Sequence, residues 1–149
     1  SVTKHGVVAL TENLYSDFDF IPNIDNPLYK VLSISDVKLL VNNNLFTIGG
    51  HTYYHDPVTT FDSKEELIDD TQKTISSLHS LTKRKIIHYS FPEGTKDFYN
   101  KNSIEVLNQK GIIFCPTADY GINKKLIFPN FTAKRILVGF ENIEFPFHI

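Results

Sequence analysis

Short apolar runs alternate with amphipathic segments along this chain, and this alternation restricts the possible folds most strongly. Runs typical of β-strands lie at residues 7–10, 45–48, 86–91 and 112–115. Segments with helical periodicity lie between them, at residues 33–44, 63–85 and 103–110. Repeated strand–helix–strand order predicts parallel βαβ units, and therefore an α/β fold whose functional loops gather at the carboxyl ends of the strands.

The second of these helices has the clearest local signals. Ser63 and Glu66 have the spacing of a capping box, in which each side chain bonds the other residue's backbone N–H. An apolar face follows at helical spacing, formed by Leu67, Thr71, Ile75 and Leu78. Farther along, Pro92-Glu93-Gly94 predicts a turn, and Gly111 suits the left-handed residue that ends a helix.

The composition is that of one domain without a strongly charged face. We expect residues 1–149 to form a single domain, because the length is typical of one domain and 41% of the residues are hydrophobic. The net charge of −2 argues against a nucleic-acid or acidic-lipid partner. No run approaches the roughly 20 apolar residues that span a bilayer. The lone Cys115 lies in a predicted strand, so we expect its thiol to be buried.

Two histidines follow the predicted strand at residues 45–48 and its Gly49-Gly50 turn. His51 and His55 are four residues apart, so a helical backbone would project both imidazoles from one face, as a shared metal requires. The pair is not the HExxH motif of metalloproteases, because Thr52 occupies the position of the glutamate base. Taken alone, an HxxxH spacing also arises by chance, as two partly exposed histidines near a turn.

The residues around this pair resemble the polysaccharide deacetylases of carbohydrate esterase family four. The family's metal-binding motif is approximately I-G-x-H-[ST]-x-x-H, and IGGHTYYH at residues 48–55 matches it at every defined position. Weaker similarities follow the family order on both sides: KHGVVA at residues 4–9, the helix at residues 35–44, FPEG at residues 91–94, and the segment from Gly111 to Arg135-Ile136. Together these similarities cover nearly the whole chain.

The resemblance implies a deformed (β/α) barrel, which we expect to lack its first strand in this chain and so to be incomplete at its amino terminus. It also implies a divalent metal, zinc by preference, held by His51, His55 and an aspartate. Such a metal polarises the carbonyl of an N-acetylated sugar and activates water for hydrolysis. A second aspartate acts as general base, and a histidine on a late loop protonates the leaving amine; His148 is the candidate for that role.

The resemblance further implies a substrate and a location. The substrate is an N-acetylated amino-sugar polysaccharide, and the location is extracellular or in the cell envelope. Tyr53, Tyr54, Pro92 and Glu93 are the candidate substrate-binding residues. There are structural alternatives, since the two tyrosines also suit aromatic packing and Glu93 suits a solvated turn. His88, within an apolar run, is more typical of a hydrogen-bonded structural histidine than of a site residue.

The sequence departs from the family at the two aspartates, which belong to a T-F-D-D-G-like motif on the first strand. In one alignment this motif precedes Ser1. In the other alignment VALTEN at residues 8–13 takes its place, and Glu12 and Asn13 replace the aspartates. We prefer the first alignment because Lys4-His5-Gly6 matches the start of the family's second strand.

Three interpretations follow from these residues. The first is hydrolytic N-deacetylation, with the two aspartates supplied by residues upstream of Ser1. The second is a non-catalytic deacetylase-like domain that keeps the fold and binds glycan through its aromatic loops. The third is an unrelated α/β domain, in which the two histidines are solvated and distant from any pocket.

Overall fold

A computed structural model describes residues 31–136 of the 149-residue chain. The predicted strand at residues 7–10 lies outside the described residues, as do Glu12, Asn13 and His148. The described part contains three α-helices, namely α1 (Ile34–Val41), α2 (Lys64–Thr82) and α3 (Lys101–Gln109). The same part contains two strands and two short 3-10 helices, namely β1 (Phe114–Tyr120), β2 (Asn130–Arg135), Val58–Thr60 and Lys96–Phe98.

Four extended segments lie side by side in chain order and run parallel. The Gly50 backbone pairs with the next segment through Gly50 N–H to the His88 carbonyl and Ser90 N–H to the Gly50 carbonyl, both at 2.9 Å. Tyr89 N–H then donates to the Phe114 carbonyl at 3.0 Å, and β1 pairs in parallel with β2. Parallel neighbours in chain order are the arrangement of a barrel wall. The α/β fold is therefore observed, and the closed barrel stays a prediction.

Two of the predicted strands are reduced to isolated bridges. The prediction of a strand at residues 45–48 is wrong, since parallel pairing there is made by Gly50. In the run at residues 86–91, only His88 and Tyr89 form bridges. Apolar side chains indicate that a segment is buried, but a strand also needs a hydrogen-bonded partner along its length. The strand predicted at residues 112–115 begins two residues later, at Phe114, and extends to Tyr120.

Helix α2 begins where the sequence predicts. The Ser63 hydroxyl accepts the Glu66 N–H at 3.1 Å, as expected for a helix cap. The Glu66 carboxylate, however, accepts the N–H of Asp62 at 3.0 Å rather than that of Ser63, so the second half of the predicted capping box is displaced by one residue. The helix ends at Thr82, and the capping residue Lys83 has a left-handed backbone with φ of 57°.

Helix α3 begins two residues earlier than predicted, because a different residue caps it. The Asn100 side chain accepts the Ser103 N–H at 3.0 Å, and the Ser103 hydroxyl accepts the Asn100 N–H at 3.0 Å. This reciprocal pair is a capping box, with Asn100 rather than Ser103 at the start. Gly111 follows the helix with φ of 81°, as predicted. Among the described residues, no helix is long and apolar enough to cross a membrane.

One apolar cluster joins α2 and α3 to the parallel segments. Leu67 belongs to it from α2, and Val106 and Leu107 belong to it from α3. Its other buried members are Val58, Ile86, Tyr89, Phe91, Ile112, Cys115 and Phe131. The Cys115 side chain is fully buried, as predicted, and this burial raises the pKa of its thiol to about 12. The cluster fixes the parallel segments on which the candidate site is built.

Candidate metal-binding site

Residues 51–55 form a loop directly after the extended segment at Gly50. The helical backbone considered for these residues does not form, since φ is 47° at Thr52 and 65° at His55, both in the left-handed region. The two imidazoles nevertheless lie together, with ring centres 4.8 Å apart and planes inclined by 69°. The two rings thus lie close together, but not through the helical backbone on which the prediction from the four-residue spacing depends.

The His51 ring is oriented by the segment that pairs with Gly50. Its Nδ1 lies 2.9 Å from the Ser90 carbonyl oxygen and 2.9 Å from the Ser90 hydroxyl. A carbonyl can only accept a hydrogen bond, so the contact with the Ser90 carbonyl requires Nδ1 to donate, and in that tautomer of the neutral ring the lone pair is on Nε2. Histidines that bind metals commonly donate their second ring N–H to a carbonyl or carboxylate in this way. His51 is half-buried, whereas His55 is exposed.

The separation of the two rings fits a shared metal ion. Two imidazoles bound to one tetrahedral metal at about 2.0–2.1 Å place their ring centres roughly 5 Å apart. The ring centres of His51 and His55 are 4.8 Å apart. Within residues 31–136, no group of three or more His, Cys, Asp or Glu side chains is arranged to hold a metal. The described residues therefore bring two histidines together, and a metal held by them stays a prediction.

The Tyr89 side chain packs against this loop from the neighbouring segment. Its hydroxyl accepts the Thr52 N–H at 2.8 Å, and the side chain is buried. A Cβ atom on Gly50 would lie only 2.4 Å from the Tyr89 ring, so a glycine is required for the ring to pass here. Burial raises the pKa of the Tyr89 hydroxyl well above its usual range, so this group stays neutral.

Helix α2 also contacts the loop, through two charged side chains one turn apart. The Tyr53 N–H donates to both carboxylate oxygens of Asp70, at 3.1 Å and 3.2 Å. The Lys73 ammonium lies 3.8 Å from the centre of the Tyr53 ring and 4.9 Å from that of Tyr54, within the range of cation–π attraction. The loop that carries the histidines is therefore bound to two different elements of the fold.

Tyr53 and Tyr54 are exposed beside the histidines. Their side chains are 40% and 60% exposed, and their rings meet edge to face with centres 4.8 Å apart. Lys73 covers part of the Tyr53 ring, which leaves less of it available for another contact. Stacking of these rings on a sugar stays a prediction.

Residues 92–94 form the predicted turn, which is anchored to β1. The Ala118 N–H donates to the Gly94 carbonyl at 2.8 Å. Pro92 is fully buried, whereas Glu93 is exposed and has a left-handed φ of 61°. A role of Pro92 and Glu93 in substrate binding stays a prediction; of the two, only Glu93 presents its side chain to solvent.

A stacked aromatic pair supports the same turn. Phe91 lies parallel to Tyr99, with ring centres 4.9 Å apart and an angle of 10° between the planes. The Tyr99 hydroxyl donates to the Asp119 carboxylate at 2.7 Å, at the carboxyl end of β1. Burial and the neighbouring Asp119 charge together raise the pKa of Tyr99 to about 12.

The backbone of His88 pairs with Gly50, just before the histidine loop, whereas its side chain packs against other residues. Its ring meets Phe114 edge to face at 5.9 Å between centres. It lines a cavity of about 160 Å³ whose lining residues lie within 41–48 and 82–88, and none of residues 51–55 lines that cavity. The hydrogen-bonded structural role predicted for His88 stays a prediction.

Sequence reasoning did not identify three residues that contact the loop. Asp70 is one of two adjacent aspartates on α2, and no pattern distinguishes it from Asp69. Tyr89 lies within an apolar run that predicts burial and nothing more. Ser90 acts through its carbonyl as well as its hydroxyl, and every residue type has a carbonyl.

The parallel segments and their helices define an α/β fold that is shared with solved deacetylases. A polysaccharide deacetylase from Bacillus cereus has a TM-score of 0.59 and 20% identity, over 91% of this chain and 44% of that protein. A Streptococcus pyogenes deacetylase solved with acetate has a TM-score of 0.57 and 16% identity, over 73% and 50%. A de-N-acetylase from Aggregatibacter actinomycetemcomitans has a TM-score of 0.56 and 14% identity, over 89% and 65%.

The sequence agrees with this similarity of fold. The chain belongs to the polysaccharide deacetylase family, whose model matches residues 14–114, more than half of the 149 residues. No curated protein matches the sequence at a significant level. The chain spans 44% to 65% of the three solved proteins, and so corresponds to part of each.

Proposed function

We propose that this chain functions in the metal-dependent hydrolytic N-deacetylation of an N-acetylated amino-sugar polysaccharide. Such an enzyme is a hydrolase of carbon–nitrogen bonds other than peptide bonds. Membership of the polysaccharide deacetylase family supports the removal of acetyl groups from a polysaccharide. The observation that supports a metal most directly is the His51–His55 pair, with ring centres 4.8 Å apart and the Nδ1 of His51 directed at the Ser90 carbonyl.

In this proposal His51 and His55 hold a divalent metal, most suitably zinc, through neutral imidazole nitrogens. When bound, the metal polarises the acetamide carbonyl and increases the acidity of a water molecule. The contact with the Ser90 carbonyl would keep the His51 ring in one orientation and leave its Nε2 as the nitrogen that would bind the metal. The two histidines thus provide binding, while the proton transfers of hydrolysis require other groups.

The remaining roles rest on residues that the sequence suggests. A third ligand and a general base are aspartates in the family, and in this proposal they lie outside the described residues. His148 is proposed as the acid that protonates the leaving amine. Tyr53 and Tyr54 are proposed to stack on sugar rings beside the metal, since both are exposed there. We further propose that the protein acts outside the cell or in the cell envelope, where an enzyme for such a polysaccharide is expected.

The metal site is tested with zinc and the full chain. Isothermal titration should give one zinc site, and His51→Ala and His55→Ala should each weaken it by more than about tenfold, the smallest loss typical of removing even an outer-shell partner. His79→Ala is the matched control, because His79 is an exposed histidine on α2 outside the loop. The His79→Ala variant should bind zinc with the same affinity as the wild-type chain. Zinc-edge anomalous diffraction should then place density about 2.0–2.1 Å from one nitrogen of each loop histidine.

The reaction is tested with oligomers of N-acetylglucosamine. Release of acetate by the zinc-loaded chain, lost in His51→Ala and retained in His79→Ala, supports hydrolysis. Binding of the oligomers without acetate release supports instead a non-catalytic domain that binds glycan. Absence of zinc from the two histidines in the wild-type chain contradicts the proposed metal dependence.

A further inference from the structure

The loop that carries the two histidines has a backbone conformation that is unfavourable for two of its residues. Thr52 has φ of 47° and His55 has φ of 65°, although neither is a glycine. The left-handed region is unfavourable for residues with a Cβ atom, and most of all for a β-branched residue such as Thr52. Such a conformation persists only where surrounding groups hold it in place.

Two side chains from different elements bind consecutive amides of this loop. The Tyr89 hydroxyl accepts the Thr52 N–H at 2.8 Å. The Asp70 carboxylate accepts the next amide, the Tyr53 N–H, through both of its oxygens at 3.1 Å and 3.2 Å. The second bond is assisted by charge, and bonds to an ionised acceptor are roughly twice as strong as neutral ones.

Asp70 lies on α2, a helix that is capped and packed against the core. Helix α2 is capped at Ser63 and buries Leu67, Thr71 and Thr74 along one face. Lys73, one turn beyond Asp70, lies 3.8 Å from the centre of the Tyr53 ring. The backbone and the ring of Tyr53 are therefore both bound to α2, at a position between His51 and His55.

We infer that Asp70 is a positioning residue for the two histidines. By holding the Tyr53 amide, it keeps the loop in the left-handed conformation that brings the rings to 4.8 Å. This inference rests on the proposed function, because it assigns the loop a metal. Asp70 acts through the backbone and does not itself bind the metal.

The first experiment measures the loop without metal. Amide hydrogen exchange of Tyr53 is followed by NMR in the metal-free full chain. Asp70→Ala should accelerate Tyr53 exchange by about tenfold or more, since the amide loses its acceptor. Asp70→Asn, which keeps one acceptor oxygen, should restore part of the protection. Asp69→Ala removes an exposed carboxylate from the adjacent position of α2 and should leave Tyr53 exchange unchanged.

The second experiment measures zinc affinity by titration of the same variants. Asp70→Ala should weaken zinc binding by about 10- to 100-fold, the loss typical of removing an outer partner of a metal ligand. Asp69→Ala should bind zinc as the wild-type chain does. The urea midpoint of each variant, measured without zinc, separates this effect from general unfolding.

The outcomes distinguish this inference from the proposed function. Unchanged Tyr53 exchange in Asp70→Ala overturns the inference, because the contact then does not hold the loop. Faster exchange with unchanged zinc affinity also overturns it, because the contact is then purely structural. A wild-type chain that binds no zinc at His51 and His55 overturns the proposed function itself, whereas normal wild-type binding with an unaffected Asp70→Ala overturns only the inference.

Discussion

Replacement of Tyr89 by phenylalanine removes one oxygen atom from the support of the histidine loop. That oxygen accepts the Thr52 N–H at 2.8 Å, and the Tyr89 side chain is 2% exposed. Thr52 is itself 7% exposed, so its amide in Tyr89→Phe is buried without an acceptor. A buried donor left in this state costs about 1–3 kcal/mol.

The loop can rearrange to reduce this cost, and this possibility limits the loss of free energy of unfolding. The left-handed backbone of Thr52 costs on the order of 1–3 kcal/mol, and the loop recovers that energy if it rearranges. Tyr89→Phe should therefore lower the free energy of unfolding by about 1–3 kcal/mol and no more. For a chain of 149 residues this corresponds to about 2–4 °C in Tm for each kcal/mol. Rearrangement should also separate the two histidine rings.

Urea denaturation followed by circular dichroism measures the free energy, and amide exchange of Thr52 locates the effect. Tyr120→Phe is the control, since it removes the same atom from a tyrosine that is 59% exposed, and it should change stability by less than about 0.5 kcal/mol. If Tyr89→Phe is as stable as this control and Thr52 exchange is unchanged, then the Tyr89 hydroxyl does not support the loop.

Three further tests concern the surrounding fold. Gly50→Ala places a Cβ 2.4 Å from the Tyr89 ring, so urea denaturation should show a loss of about 1–3 kcal/mol from overpacking. Asn100→Ala removes the cap of α3 and should cost about 1 kcal/mol, whereas Asn102→Ala, at an exposed position in the first turn, should cost less than half of that. Burial raises the pKa of the Cys115 thiol from 9.0 to about 12. The buried neutral thiol therefore makes its full contribution to the free energy of unfolding below pH 9.0, and this contribution falls as the pH rises from 9.0 toward 12. The urea midpoint should therefore fall between about pH 8 and about pH 10, and this fall should be larger in the wild-type chain than in Cys115→Ala.

Helices were more predictable from this sequence than strands, because helix signals are local. Ser63 and the apolar face of α2 lie within one element, so its start and its buried side could be read directly. The start of α3 was misplaced by two residues because Ser103 and Asn100 both suit a cap, and the choice depends on backbone geometry. Strand β2 was not predicted at all. Of the residues of β2, only Phe131 and Ala133 are buried. The strand forms because it pairs with β1, and the periodicity of a sequence gives no information about which segments pair.

In the candidate site, too, local features could be predicted from the sequence and long-range contacts could not. His51 and His55 could be identified because they belong to one short motif. Their partners could not, because Asp70, Tyr89 and Ser90 are separated from the residues they contact by 17, 37 and 39 positions. Contacts at such separations depend on the packing of α2 and of the parallel segments. Those contacts also use backbone amides and a carbonyl, which every sequence contains.

The conformation of the loop changes what the histidine spacing means. In a helix, two histidines four positions apart have their rings on one face, wherever the helix lies. Here the backbone is left-handed at Thr52 and His55, and the rings approach to 4.8 Å only within a loop held by side chains from two elements. Residues 48–55, in a protein without a tyrosine against Gly50 and a carboxylate bound to the Tyr53 amide, would keep the spacing of the histidines. Their rings would no longer be held close together. The motif therefore depends on the fold around it, and the affinity of this pair for a metal should respond to substitutions on α2 as well as to substitutions of the histidines.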